Sequence, residues 1–400
     1  MLNFSLHTPT RIHFGQGEVD RAGEIIATIG KKALIVTGRS STKKTGVLDR
    51  VVNALQHAGV ETTIFAEIEP NPRAQTIDRA GLIAREQGCD VIVGLGGGSP
   101  MDAAKAIATV AVSKRPIANY LRGTESGLWR ELLPIKEALP IVTIPTLAAT
   151  GSEANSGAVI TDWETKVKAG IGGPALFPKA AILDPELTYT VPANYTADGA
   201  VDMFTHLYEG YMTGDEHAYV QDEITEALMR STIRFAKPAL DNPKDYEARA
   251  NLLWTSTLAL VGIANTGRGG SYPAHAMEHT VSAYYDISHG RGLAILAPAY
   301  FSHVILHDRP HRLARLGRRV FDITISDEQE AAKATIEAMI MWFKEIGTFD
   351  TLKNVGVKRE DLLPMAQDSI RVAGNGATTI PSTHPLTVED VLAIYEAAYE

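Results

Sequence analysis

Short apolar runs that alternate with helix-like segments are the feature of this sequence that most restricts its fold. Most of these runs are rich in β-branched residues and lack polar alternation, which is typical of strands buried on both faces of a parallel sheet. The predicted strands are Lys32–Gly38, Glu61–Ile68, Asp90–Leu95 and Leu139–Pro145, and the predicted helices between them are Gly46–His57, Thr76–Gln87 and Ser99–Val112.

The second half of the chain has a different pattern, with long helical periodicity and few strand-like runs. We therefore predict an α/β N-terminal domain with a Rossmann-like, doubly wound parallel sheet over residues 1–187, and an all-α C-terminal domain over residues 188–400. The change falls near Asp184–Pro192, and the predicted helices beyond it are Tyr195–Thr213, Tyr219–Ala239, Tyr246–Ala264, Glu328–Ile346 and Thr387–Tyr399.

Composition excludes several classes of protein. The 400 residues carry a formal net charge of −9, which argues against a general nucleic-acid binder because such proteins need a basic face. The single cysteine, Cys89, excludes a disulfide framework and a thiolate zinc site. No apolar run reaches the roughly 18 residues of a membrane span, and no targeting segment is visible. We expect a cytoplasmic protein with no membrane and no nucleic-acid partner.

A glycine-rich turn follows the third predicted strand, in the order Gly94-Leu95-Gly96-Gly97-Gly98-Ser99. Successive glycines let the backbone approach a ligand closely, and the helix that follows presents free N–H groups to a pyrophosphate. The spacing is not the GxGxxG fingerprint, so the turn alone could also be a tight strand–helix connection. Its place at the carboxyl end of a strand favours phosphate binding.

A second polar loop follows the fourth predicted strand. It contains Thr146, Thr150, Gly151, Ser152 and Glu153, which suit a polar ligand but equally suit a loop bonded to itself. The two loops together indicate a cofactor site more strongly than either does alone.

Histidine and aspartate spacing indicates a metal site in the helical half. Asp202 and His206 are four residues apart on a predicted helix, and His275 and His279 repeat that spacing, so each pair shares one helix face. His289 lies ten residues further on, in a glycine-containing loop. Three imidazoles and a carboxylate suit one divalent ion such as Fe²⁺ or Zn²⁺. With 12 histidines in the chain, spacing alone leaves surface or core roles open.

At these residues the chain resembles a known family, the iron-activated (group III) alcohol dehydrogenases, in particular their NADP-dependent butanol- or aldehyde-reducing branch. The resemblance extends over nearly the whole chain and is most specific in its last two blocks. The blocks are LHTPTRIHFGQG at the start, GGGSPMD at 96–102, TIPTLAATGSE at 143–153, LDPELT at 183–188, VDMFTH at 201–206 and HAMEHTVSAYYDISHG at 275–290.

The resemblance implies roles for individual residues. The family's metal ligands fall on Asp202, His206, His275 and His289, and its additional active-site histidine falls on His279, a candidate for proton relay or for an orienting role. Asp102 matches the residue that reaches toward the nicotinamide, and we count it with His279 as catalytic. The implied cofactor contacts are Gly97, Gly98, Ser99, Asp102, Thr143, Thr146, Thr150, Lys168 and Asn71.

The loop after the first predicted strand favours NADP(H) over NAD(H). NAD-specific members carry an aspartate there, whereas this loop reads TGRSSTKK and has no acid to repel a 2′-phosphate. Gly38, Ser40 and Ser41 offer N–H and O–H donors, and Arg39 adds charge. NAD(H) can still be tolerated. Leu147 and Ala149 depart from the commoner TTAGTGSE form of the second loop, which bears on substrate and cofactor preference.

The implied activity is metal-dependent hydride transfer between NADP(H) and small primary alcohols or aldehydes, in a cleft between the domains. The alternatives are a dehydrogenase of phosphorylated polyols or an enzyme like dehydroquinate synthase, which share this architecture. Their phosphorylated substrates call for several basic residues, whereas the residues near the proposed ligands are mainly apolar or aromatic. A binding protein without catalysis predicts missing ligands, and all four are present. The family often forms homodimers, and we expect one here.

Overall fold

The structure is a computed structural model of the chain that describes residues 1–121, 133–374 and 376–400. Its strands are β1 Arg11–Phe14, β2 Lys32–Gly38, β3 Glu61–Ile68, β4 Val91–Gly96, β5 Ile141–Pro145, β6 Gly157–Asp162, β7 Val167–Gly172 and β8 Ala180–Leu183. Within the described residues, six of them form a parallel sheet in the order β1-β8-β5-β4-β2-β3. β6 and β7 pair as a separate antiparallel hairpin.

The helices are α1 Ala22–Ala27, α2 Ser41–Lys44, α3 Val47–His57, α4 Ala74–Glu86, α5 Gly98–Ser113, α6 Ala193–Thr213, α7 Tyr219–Asp241, α8 Tyr246–Leu260, α9 Pro273–Tyr285, α10 His289–Tyr300, α11 Leu306–Asp308, α12 Pro310–Val320, α13 Glu328–Glu345, α14 Leu362–Ala373 and α15 Val388–Ala397. A π-helical segment, Phe301–Ile305, joins α10 to α11. None of these helices, as far as the described residues extend, is both long and apolar enough to cross a membrane.

Both faces of the six-stranded sheet are covered, which is why its central strands carry mostly apolar side chains without polar alternation. Alternate residues of β2 illustrate this: Ala33 and Ile35 pack into a core with α1 and α3, and Leu34 is equally buried on the other face. α4 and α5 pack against each other, and α5 contacts β2, β4 and β5. The predicted α/β class with a doubly wound parallel sheet and a mostly helical C-terminal part is confirmed.

The chain forms two compact units, and neither is continuous in sequence. The α/β unit comprises residues 7–191 and 243–261, and the helical unit comprises residues 1–6, 192–242 and 262–400. The predicted division at 187/188 is continuous and places α8 with the helical half. In the structure α8 packs on the α/β unit, where Leu253 joins Ala181 and Leu183 in a small core. Helical periodicity reveals a buried face but not the core that buries it.

Most predicted elements end within a few residues of the observed ones. The sequence-based prediction did not include β1, β8 or the β6–β7 hairpin, because short strands carry little periodic signal. It also placed His289 in a loop, which is wrong: His289 is the first residue of α10. The glycines that suggested a loop serve close packing instead, since a Cβ at Gly290 would overlap the backbone of Asp198.

Candidate functional site

Four of the predicted metal ligands come together in the helical unit. Asp202 and His206 project from α6, His275 projects from α9, and His289 begins α10. The close approach of Gly290 to Asp198 brings the start of α10 against α6. Asp202, His206 and His275 are buried, and the side chain of His289 is 23% exposed, so the cluster is reached from one side only.

Asp202 is the centre of this cluster. Its Oδ1 lies 3.5 Å from Nδ1 of His206, 3.9 Å from Nε2 of His275 and 3.7 Å from Nε2 of His289. Ligand atoms of Asp202, His275 and His289 all lie within 4.8 Å of one another. The His206 ring stacks on that of His275 with centroids 4.4 Å apart.

The spacing fits a bound divalent ion. Atoms that bind one ion tetrahedrally at roughly 2.0–2.2 Å lie about 3.4 Å from one another, close to the separations around Asp202. Asp202, His275 and His289 form one mutually spaced set, whereas His206 is close to Asp202 but lies outside that set. Nδ1 of His206 and Nε2 of His275 are buried and make no hydrogen bond to any residue that the structure describes. Buried polar atoms are rarely left in that state, and an ion at the centre of the cluster would satisfy both.

Two buried glutamates support the histidines from behind. The Glu209 carboxylate contacts Nδ1 of His275 through Oε2 and accepts a hydrogen bond from the backbone N–H of Ala274 through Oε1, at 2.6 Å. The Glu278 carboxylate contacts Nδ1 of His289. A carboxylate at Nδ1 holds the proton there, so Nε2 keeps its lone pair and the ring is held in a fixed orientation. Both histidines therefore present Nε2 toward Asp202.

Electrostatics prepare the cluster for a cation. Burial and the neighbouring imidazoles hold the pKa of His206 well below its usual value, so this ring is a neutral donor. Burial acts against protonation of His275 as well, but the Glu209 carboxylate raises the pKa of His275 above its usual value. A metal ion would displace the proton that this negative environment attracts.

His279 lies beside the cluster rather than within it. Its ring centroid is 5.3 Å from that of His289 and 6.4 Å from that of His275. It forms a second group of possible ligands with Glu278 and His289. This position, next to the cluster on the same helix as His275, is compatible with either of the two roles expected for it.

The glycine-rich turn lies at the carboxyl edge of the parallel sheet. In the strand order, β3 lies outward from β2 in one direction, and β5 lies outward from β4 in the opposite direction. The order therefore reverses between the neighbouring strands β2 and β4, and ligands bind at such a topological switch point. Gly97 caps α5, and within the described residues no side chain caps that helix end. Its N–H groups are thus available to a phosphate, as the sequence predicts for Gly97, Gly98 and Ser99.

Two of these glycines serve different purposes. A Cβ at Gly98 would lie 2.6 Å from Cγ2 of Thr150, so packing against the second loop excludes a side chain there. A Cβ at Gly97 would meet only Leu147, at 3.4 Å, and its φ of −77° suits any residue. Among the residues that the structure describes, none requires glycine at 97, so this position has room for the close approach of a ligand.

The loop after β2 presents Arg39, Ser40 and Ser41 to solvent, while Gly38 is half-buried at the strand end. The hydroxyls of Thr37 and Thr42 lie 2.7 Å apart and close the loop from inside. This loop is beside the glycine-rich turn, because Thr37 of β2 pairs with Leu95 of β4. The predicted adenosine-side contacts and phosphate-side contacts are thus neighbours on one sheet edge.

Two predicted cofactor residues are buried in the α/β unit, and a third is half-buried. The Thr143 hydroxyl is fully buried and donates to the carbonyl of Glu153 at 2.9 Å, which holds the backbone of the second loop. Lys168, on β7, is also buried. Asp102 is half-buried and accepts hydrogen bonds from the Ser152 hydroxyl at 2.5 Å and from the backbone N–H of Val159 at 2.8 Å. Asp102 thus contacts a side chain of the second loop and the backbone of β6.

The remaining predicted cofactor residues are at the ends of strands. Thr146 donates its backbone N–H to the carbonyl of Gly96 at 2.9 Å, which joins the second loop to the glycine-rich turn. Asn71 has a left-handed backbone, with φ of 52°, between Pro70 and Pro72 after β3.

Sequence reasoning missed Lys105, which is fully buried in the α/β unit. Its ammonium donates to Ser152 Oγ at 2.9 Å, to Asn155 Oδ1 at 3.0 Å and to the carbonyl of Gly157 at 2.6 Å. Burial lowers the pKa of Lys105 to about 8, against the pull of Asp102 and Glu153. All three ammonium protons are therefore used to hold the segment that leads from β5 into β6.

Glu209 and Glu278 were also missed. Each lies three residues after a predicted ligand, His206 and His275 respectively, and so shares its helix face. That spacing is a usable signal, but it does not indicate which histidine a carboxylate contacts. Glu209 in fact contacts a histidine on another helix.

Two regions of the chain match known protein families. Residues 9–185 match the family described as iron-containing alcohol dehydrogenase, and residues 196–399 match the C-terminal domain of the Fe-containing alcohol dehydrogenase family. Together these matches cover most of the chain.

Individual relatives match over their full lengths. The chain is 39% identical over 400 residues to NADH-dependent butanol dehydrogenase A of Clostridium acetobutylicum, covering 100% of both chains. It is 35% identical over 402 residues to NADPH-dependent aldehyde reductase YqhD of Escherichia coli, again covering 100% of both. Among solved structures, NADH-dependent butanol dehydrogenase A of Thermotoga maritima superimposes with a TM-score of 0.93 at 35% identity, covering 100% of this chain and 99% of that one.

Proposed function

Since the chain belongs to the iron-containing alcohol dehydrogenase family, we propose that it interconverts small primary alcohols and aldehydes with NADP(H) as its preferred nicotinamide cofactor. It is an oxidoreductase with alcohol dehydrogenase or aldehyde reductase activity, and it uses a metal and an NAD(P) cofactor. The finer assignments are the proposal: the substrate class, the cofactor preference, and the residues that bind metal and nucleotide. The observation that carries the metal assignment is the convergence of three histidine rings on Oδ1 of Asp202.

Asp202, His206, His275 and His289 would hold one Fe²⁺ or Zn²⁺ ion, for which an N/O ligand set is suitable. When bound, the ion supplies Lewis-acid polarisation of a substrate oxygen, and the nicotinamide donates or accepts a hydride. The protein contributes orientation, because Glu209 and Glu278 fix the rings of His275 and His289. His279 is our candidate for moving a proton to or from the substrate oxygen, since imidazole titrates near neutral pH.

For the nucleotide, we assign the pyrophosphate to the N–H groups of Gly97, Gly98 and Ser99 at the start of α5. We assign a 2′-phosphate to the loop Gly38–Ser41, where Arg39 and two hydroxyls are exposed. Thr143 holds the backbone of the second loop, and Thr150 of that loop packs against Gly98 of the glycine-rich turn. Asp102, half-buried beside Ser152, stays our candidate for the residue that reaches toward the nicotinamide. Relatives include enzymes named for NADH and for NADPH, so the preference has to be measured on this chain.

The alternative of a phosphorylated substrate is not favoured. The family and its relatives are named for butanol and aldehydes rather than for phosphorylated polyols or dehydroquinate. A cytoplasmic location and a homodimer stay predictions from the sequence.

The test is a turnover assay paired with metal analysis. Protein purified without added metal is assayed with NADPH and with NADH against butanal, longer aldehydes and a phosphorylated polyol, and its iron and zinc contents are measured. We expect turnover with aldehydes that is lost on chelation and restored by Fe²⁺ or Zn²⁺, with higher kcat/KM for NADPH. Turnover of the phosphorylated substrate alone would refute the substrate class, and full activity of chelated, metal-free protein would refute the metal centre.

A further inference from the structure

An acidic side chain from another strand lies next to the loop after β2, which itself contains no acid. β2 and β3 pair in parallel up to Gly38 and Ile68, so Arg39 and Glu69 leave the sheet side by side at its carboxyl edge. Nη2 of Arg39 donates to Oε1 of Glu69 at 3.2 Å. The absence of an acid in the loop after β2 is therefore offset by a carboxylate from the end of the next strand.

Glu69 is anchored, whereas Arg39 is not. The Thr76 hydroxyl of α4 donates to the same Oε1 atom at 3.0 Å, and the side chain of Glu69 is only 19% exposed. The side chain of Arg39 is 69% exposed, and exposed ion pairs of this kind are worth little free energy. A bound anion can therefore draw Arg39 away, but Glu69 and its charge will stay at the strand end.

The two cofactors differ at the group that this pair would meet. NADP(H) carries a phosphate on the adenosine 2′-oxygen, whereas NAD(H) has a hydroxyl there. A carboxylate repels the phosphate and accepts a hydrogen bond from the hydroxyl, while a guanidinium attracts the phosphate. Oε1 of Glu69, which meets both Arg39 and Thr76, is the oxygen on the side of the loop after β2, whereas Oε2 is buried.

We propose that Glu69 is a specificity-determining residue, which shares the guanidinium of Arg39 with the 2′-phosphate and thereby limits the preference for NADP(H) over NAD(H). The inference rests on the proposed nucleotide site at Gly38–Ser41. It makes discrimination a competition between a fixed carboxylate and a phosphate for one exposed arginine. Removal of the carboxylate charge releases Arg39 to the phosphate.

The test measures binding of two fragments that differ only in the phosphate, adenosine 2′,5′-bisphosphate and adenosine 5′-monophosphate, by calorimetry. Glu69→Gln keeps an oxygen for Thr76 and removes the charge. We expect this variant to bind the bisphosphate about fivefold more tightly, which is the scale of an exposed charge pair, and to bind the monophosphate with little change. The same shift should appear in the ratio of kcat/KM for NADPH to that for NADH, and it should shrink at high salt.

The controls isolate Arg39. Glu67→Gln removes a neighbouring acid of β3 that pairs with Arg79 instead, and it should leave the ratio unchanged. In an Arg39→Gln background, Glu69→Gln should lose most of its effect. If Glu69→Gln does not fold, Glu69→Asp, which withdraws the carboxylate from Arg39, should shift the ratio in the same direction.

The outcomes separate this inference from the proposed function. If Arg39→Gln weakens the bisphosphate but Glu69→Gln changes nothing, the site is right and the role of Glu69 is refuted. An equal effect of Glu69→Gln with and without Arg39 also refutes the sharing. If Arg39→Gln leaves bisphosphate binding unchanged, the proposed 2′-phosphate site is itself wrong, and the role of Glu69 falls with it.

Discussion

Glu209 and His275 are 66 residues apart in the chain, yet the carboxylate of Glu209 contacts Nδ1 of His275, whose Nε2 faces Asp202. A proposed metal ligand is thus fixed by a residue on a different helix. The proposed metal centre accordingly should depend on more than its four expected ligands, and this dependence can be measured.

Glu209→Gln should weaken metal binding about 10- to 100-fold, because the amide cannot hold the proton and the ring orientation of His275 as a carboxylate does. Metal affinity is measured by competition with a chelator, and metal content by elemental analysis. Glu345→Gln, an exposed change on α13, is the control. Unchanged affinity in the Glu209 variant would mean that the carboxylate does not tune the site.

His275→Ala should remove both bound metal and turnover, since it deletes one of the buried nitrogens that converge on Asp202. The matched control is His307→Ala, an exposed histidine to which we assign no role. Elemental analysis and an NADPH absorbance assay are run on both variants. A His275→Ala protein that lacks metal but turns over at the normal rate would overturn the proposed centre.

Gly97→Ala and Gly98→Ala should separate ligand approach from packing. Alanine at 97 meets only the end of Leu147, so the free energy of unfolding should hardly change while nucleotide affinity falls, because the added methyl occupies the phosphate's space. Alanine at 98 collides with Thr150 and should lower stability. Denaturant unfolding and NADPH titration are the measurements. Normal NADPH affinity in Gly97→Ala would place the phosphates elsewhere.

Lys105 should make stability depend on pH in an alkaline window. Its pKa falls from 10.5 in the unfolded chain to about 8 in the fold, where Asp102 and Glu153 are the charges that face it. Between these values the unfolded chain binds a proton that the folded chain has released, so the free energy of unfolding contributed by this group rises with pH. Below about pH 8 its burial penalty is present in full.

Lys105→Met has no such group. From pH 7.5 to pH 9.5, the free energy of unfolding of the wild type should therefore increase relative to that of this variant. Urea unfolding at the two pH values measures it, with Lys179→Met, an exposed lysine of the same unit, as the control. An equal difference at both pH values would show that Lys105 titrates outside the window.

The parallel sheet could be predicted because its central strands are buried on both faces and so lack polar alternation, as in β2 and β4. The proposed ligand pair Asp202 and His206 could be predicted for a similar local reason, since helical spacing alone puts both residues on one face. The same spacing indicated His275 and His279, and the two loops indicated a cofactor site, but only the family resemblance selected His289 and the other ligands as one set and gave the cofactor residues individual roles.

What could not be predicted depends on contacts between distant segments. Nothing local to Arg39 indicates Glu69, because the two meet only through strand pairing. Lys105 has the sequence context of an ordinary helix residue, and only its burial beneath the loop after β5 shows what it holds. Asp102 is similar: its two bonds to Ser152 and Val159 give it a framework position that a motif does not reveal.

The return of residues 243–261 to the α/β unit affects how this polypeptide is made. The Thr257 hydroxyl donates to the buried carboxylate of Glu153 at 2.5 Å, so this carboxylate lacks its Thr257 partner until α8 has been synthesised. Domains usually fold as they leave the ribosome, N-terminal one first. Here the α/β unit is complete only when residue 261 has been synthesised, after residues 192–242 of the helical unit. A gene divided between residues 191 and 192 would therefore encode two incomplete units.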